Sequence, residues 1–124
     1  FNNYSQGWID WNIILDEEGG PTYVGNFCEA PVMIDKHTGK VSYMSSYYYI
    51  GHFSKFIKAG ATRVFCGNDA PSQLYSVAYE NPDKSKIIVI QNSSSRRREI
   101  TLTVDGKGTR FSMRPHSIMT LVAD

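Results

Sequence analysis

Asp10 sits between Trp8 and Trp11 in GWIDWN, and Asp16, Glu17 and Glu18 run together just before a Gly-Gly-Pro turn. These carboxylates are the first residues that could do chemistry. Three adjacent acids could hold a cation, but such a run ending in Gly-Gly-Pro reads as a solvated turn. His37, His52 and His116 lie far apart, without HExxH or paired-cysteine spacing, so no metal ligand set is proposed and no cofactor is implied. Cys28 and Cys66 lie outside any CxxC pattern. They are read as two small buried hydrophobes, with pairing left open. Arg96 to Arg98 follow three serines, as an exposed loop would, in a chain of 13 basic and 12 acidic residues. A net charge of +1 supplies no broad field for nucleic acid, and neither does one short basic run.

The elements that must position these groups fall into two patterns. From Ser5 to Leu15 aromatic and β-branched residues predict a strand that stops at DEEGGP. Ile9, Trp11 and Ile13 would line one face, with Trp8 and Ile14 on the other beside Asp10 and Asn12. A strand apolar on both faces belongs between neighbours, as in the parallel sheet of an α/β protein. APVMID, KHTGK and VSYM then read as strand, turn and strand. Tyr49, Phe53 and Phe56 or Ile57 have helical spacing within Tyr47 to Lys58, and Gly60 suits the end of that helix.

After Gly60 the pattern is all β. ATRVFCG, LYSVAYE, SKIIVIQN, REITLTV, TRFSMR and HSIMTLV predict short strands of an antiparallel sandwich or meander, with NPD and DGKG as turns. The chain of 124 residues can bury a sizeable core, and its longest apolar run, IIVI, falls far short of the roughly 20 residues that cross a bilayer. No membrane span is expected. The opening FNNYSQGW carries neither an initiator methionine nor a secretion signal, so the start is read as internal.

WIDWN, DEEGGP, VGNF, APVMID and YIGHFSKFI, in this order, resemble the C-terminal part of glycoside hydrolase family 30, the glucosylceramidase family. The resemblance implies a mainly β chain: an antiparallel β-sandwich domain (59–124) preceded by the last strand, pocket loop and last helix of a TIM barrel (1–58). It also implies a retaining mechanism with two glutamates roughly 5 to 5.5 Å apart. The resemblance implies that both lie on earlier barrel strands, and Glu17, Glu18, Glu29, Glu80 and Glu99 match neither motif. The expected partners are a β-glucoside or glycan substrate, met through the complete enzyme, and the N-terminal barrel portion. The expected location is secreted or periplasmic.

By the same resemblance Trp11 lines the sugar pocket, Asn26 lies near the bound sugar and Phe27 stands at its mouth. An indole face packs on the C–H face of a pyranose, and an amide both donates to and accepts from hydroxyls. Thr22-Tyr23 follows GGP where Asn-Trp is common in the family, which leaves the contacts of this loop open. The family also contains β-1,6-glucanases and β-xylosidases, so glucosylceramide is not singled out. The alternative is a carbohydrate-binding sandwich using Phe65, Tyr75, Tyr79 and Phe111.

Overall fold

The strand expected from Ser5 to Leu15 is realised only at its end. In the computed structural model, which describes every residue but Asn26, Ala70 and Pro71, β1 covers Ile14–Asp16. It pairs in parallel with β2 (Val32–Ile34), Ile14 opposite Val32, and β2 pairs antiparallel with β3 (Val41–Tyr43). Among the described residues no strand pairs with Gly7–Asn12. A strand is held by its ladder, and without one the segment carries Trp8, Ile9, Trp11 and Ile13 exposed rather than buried on two faces. Leu15, Ala30, Pro31 and Val32 are buried apolar side chains of this unit, which spans Tyr4–Gly51.

Helix α1 (Ser45–Ser54) begins and ends earlier than its periodicity predicts. Its continuation is a looser turn in which the amides of Phe56 and Ile57 both donate to the Phe53 carbonyl, at 3.3 and 3.0 Å. Gly60 then adopts φ of 83°, a left-handed conformation open to glycine at little cost, and the chain enters its β portion.

The second unit comprises His52–Asp124 with Phe1–Asn3. Its principal sheet has the order β4 (Thr62–Val64), β5 (Leu74–Glu80), β6 (Lys86–Asn92) and β9 (Ser117–Ala123), all antiparallel. β7 (Arg98–Val104) and β8 (Lys107–Met113) form a separate hairpin sheet. The IIVI run explains the layering. Successive strand side chains point to opposite faces, so Ile88 and Ile90 enter one core with Ala78, Ile100 and Met113, while Ile87 and Val89 enter another with Val77 and Tyr79. The hairpin sheet covers the first core. Phe53, Phe56 and Ile57 cover the second with Phe1, whose ring stacks on Phe53 at 4.7 Å between centroids.

The predicted alternation of β7 is realised, with Ile100, Leu102 and Val104 packed inward and Thr101 and Thr103 exposed. Asp105 and Gly106, at φ of 50° and 78°, make the two-residue turn that this hairpin needs. Two buried asparagines fix the ends of the unit. Asn81 donates to the Phe56 carbonyl and the Ser85 hydroxyl, both at 3.0 Å, and accepts from the Lys58 amide at 2.9 Å. Asn92, fully buried, donates to the carbonyls of Arg96 and Arg114 at 2.8 and 2.9 Å and accepts from Ser94.

Candidate functional site: an exposed aromatic surface beside strand β1

Trp11 lies three residues before β1 and is 68 % exposed; Phe27, in the loop between β1 and β2, is 79 % exposed. Asn26 lies outside the described residues. Among the described residues neither ring of the pair stacks on another aromatic, so the structure places both on the surface without bringing them into contact. Tyr23, 94 % exposed in the same loop, was not among the predicted site residues, although the Thr22-Tyr23 departure from the family pattern marks its position. Asp10 accepts from the Trp11 amide at 2.9 Å, a local structural contact.

The acidic turn after β1 is built from its own carboxylates. Asp16 accepts from the amides of Gly20 and Glu18 at 2.7 and 2.9 Å. Those two amides, with Lys36 nearby, hold its carboxyl below the usual range, the Gly20 amide contributing most. Glu17 accepts from the Lys36 amide at 3.0 Å and lies 3.6 Å from the His37 ring, while Glu18 pairs with the Lys36 ammonium. The opposite turn is organised in the same way: Asp35 accepts from the Thr38 and His37 amides, and the Thr38 contacts are the main reason its carboxyl is held low. These acids position a loop by pairing with its amides and cations.

In the second unit, the His52 ring makes a hydrogen bond to Thr120, and burial pushes its pKa down. Cys28 and Cys66 are free thiols, both half-buried, and Cys66 donates to Ser76 at 3.4 Å beside the core. Tyr79 is buried and Phe111 packs against the core, leaving Phe65 and Tyr75 as the exposed aromatics of the four considered for a binding row. An open cleft between the two sheets is lined at its base by Ile88, Leu102, Val104 and Leu121 and rimmed by Lys86 and Lys107. No predicted site residue lines it.

An exposed indole and phenyl flank a short parallel strand pair, which a helix and then the antiparallel strands follow in the chain. Residues 1–57 match the glycosyl hydrolase family 30 TIM-barrel domain and residues 60–121 the glycosyl hydrolase family 30 beta sandwich domain; the chain belongs to this family. It is 36% identical to the lysosomal acid glucosylceramidase of Mus musculus over 115 residues, covering 92% of this chain and 22% of that protein. Among solved structures it resembles SrfJ from Salmonella typhimurium at 31% identity and a TM-score of 0.85, covering 92% of this chain and 25% of that one. It also resembles the endo-beta1,6-glucanase BT3312 at 27% identity and a TM-score of 0.88, covering 96% of this chain and 27% of that one. The chain thus spans about a quarter of the length of these relatives.

Proposed function

We propose that this chain is the C-terminal portion of a retaining β-glycosidase, with residues 1–58 supplying the last strand, pocket loop and last helix of its barrel and residues 59–124 its β-sandwich. The observation that carries the reading is the exposure of Trp11 and Phe27 on a segment that matches the family's barrel domain. Exposing an indole and a phenyl to water is unfavourable by about 25 cal/mol per Å². Ring faces left outside any protein core are suited to the C–H faces of a sugar. Trp8, Ile9 and Ile13, exposed on the same segment, are assigned to contacts with neighbouring barrel strands.

In this reading the two catalytic glutamates stand on those other strands, and the residues of this chain bind and orient. Trp11 and Phe27 present aromatic faces, Asn26 supplies an amide to a sugar hydroxyl, and the acid-built turn after β1 holds the loop that carries Phe27 and Asn26. The substrate class is a β-linked glucoside; the names of the relatives, a glucosylceramidase and an endo-β-1,6-glucanase, support both a lipid-linked and a polymeric aglycone. The enzyme is assigned to a secreted or periplasmic location, and among the described residues no helix is long and apolar enough to cross a membrane.

The test is hydrolysis of a chromogenic β-glucoside by the purified chain, by the full-length protein that contains it, and by the chain mixed with the N-terminal portion. Activity in the last two but not the first supports the reading. Hydrolysis by the chain alone would place the reacting carboxylates among its own residues and overturn it.

A further inference from the structure

One end of the sandwich carries four arginines, three on two turns that are fastened together and one, Arg98, at the start of β7. Arg96, Arg97 and Arg98 follow β6 and Arg114 follows β8; the first two and Arg114 are exposed, Arg98 half-buried. The fully buried Asn92 amide donates to the carbonyls of Arg96 and Arg114, and the His116 amide donates to the Ser94 carbonyl at 3.1 Å, so the two turns form one platform. Two guanidiniums are oriented by hydroxyls: Arg97 donates to Ser112 at 3.1 Å and Arg98 to Ser94 at 3.3 Å. Among the described residues none of the four is in an ion pair. The other end of the unit contrasts with this, since Lys58, Lys84 and Lys86 there pair with Asp83, Glu80 and Asp105.

Like charges gathered on a rigid scaffold repel, and among the described residues no carboxylate forms an ion pair with any of the four. Guanidinium forks of this kind match carboxylate and sulfate oxygens in a bidentate manner. Surfaces that seat on a bilayer pair their basic residues with Trp, Phe or Leu. The two turns, Ser93–Arg97 and Arg114–His116, contain none of these. We propose that this end of the sandwich binds an anionic polysaccharide, one bearing uronate carboxylates or sulfate esters, through Arg96, Arg97, Arg98 and Arg114. The choice of a glycan over other polyanions rests on the glycosidase reading above; the anion-binding geometry does not.

The experiment titrates the full-length protein with polygalacturonate and with dextran sulfate, using neutral dextran as the control, over a series of NaCl concentrations. The expected result is salt-sensitive binding to one or both anionic polymers and none to neutral dextran. An Arg96→Gln/Arg97→Gln/Arg114→Gln variant should bind at least tenfold more weakly, whereas Lys84→Gln/Lys107→Gln at the opposite end should leave binding unchanged. The matching triple lysine variant, which keeps charge and removes the forks, should fall between. Equal binding by the triple glutamine variant overturns the proposal, as does wild-type binding to phosphatidylserine vesicles without binding to either polymer. Hydrolysis of the chromogenic β-glucoside is followed in parallel. Intact hydrolysis without polymer binding sinks this proposal alone, and absent hydrolysis counts against the glycosidase reading independently.

Discussion

The His52 ring and the Thr120 hydroxyl hold each other from both sides: Nδ1 lies 2.9 Å from Oγ1, and Oγ1 donates to the His52 carbonyl at 3.1 Å. A hydroxyl has one hydrogen. With that hydrogen on the carbonyl, the ring must supply the other, which assigns the neutral tautomer protonated at Nδ1.

That pair sets a pH dependence. Burial lowers the folded-state pKa of His52, so below about pH 6.5 the unfolded chain takes up a proton that the folded chain resists, and stability falls as pH falls through that window. His52→Asn keeps a donor near Nδ1 and does not titrate. Its melting temperature should lose the decline below about pH 6.5 that the wild type shows. An unchanged pH profile would remove His52 as the cause.

A second decline belongs at lower pH. Lys58, with Ser85, holds the Asp83 carboxyl down to about 2, and Lys84 lowers that of Glu80. Groups with depressed carboxyl pKa stabilise above the unfolded value, and that stability is lost as pH falls through the folded one. Lys58→Met should flatten the acid limb of the melting curve below about pH 4. Because this ion pair is exposed, the change at pH 7 should be small.

Asn92→Ala should be among the most destabilising polar substitutions in the chain. It removes the buried amide that satisfies the carbonyls of Arg96 and Arg114 and costs about 2 to 4 kcal/mol, read as the loss in a denaturant melt. Ile88→Ala should cost about 2 to 5 kcal/mol by opening a cavity between the sheets. Val122→Ala, at a position 52% exposed, should stay within about 0.5 kcal/mol.

Trp11→Ala in the full-length protein should raise KM for a β-glucoside roughly 2- to 12-fold, the equivalent of about 0.5 to 1.5 kcal/mol of stacking. Its melting temperature should change little. A collapse in stability with no separate effect on KM would make Trp11 a packing residue of the barrel.

Most of the β portion was legible because its signals are local. Alternation in REITLTV, the unbroken IIVI run and the Asp-Gly turn each name a strand face or a hairpin without reference to distant residues. The front was legible only as a pattern. GWIDWN has the composition of a strand, yet strand geometry needs a ladder, and among the described residues none reaches Gly7–Asn12. The end of α1 was misjudged because the helical spacing of Phe53, Phe56 and Ile57 continues past Ser54, while packing against Val77, Tyr79 and Val89 accepts the looser turn observed. The arginine platform was half visible: Arg96 to Arg98 are adjacent in sequence, but Arg114 joins them through long-range contacts, those of Asn92 and of His116 with Ser94, that no spacing encodes.

The pairing of β6 with β9 across the inserted β7–β8 hairpin has a consequence during synthesis. As the ribosome extends the chain, β6 emerges beside β5 with its other edge bare, and it stays bare until Ser117 to Ala123 have been made. Until then the nascent chain offers an apolar strand edge to any neighbour. A premature stop before Ser117 would make that exposure permanent, so such nonsense variants should yield insoluble protein rather than a merely destabilised fold.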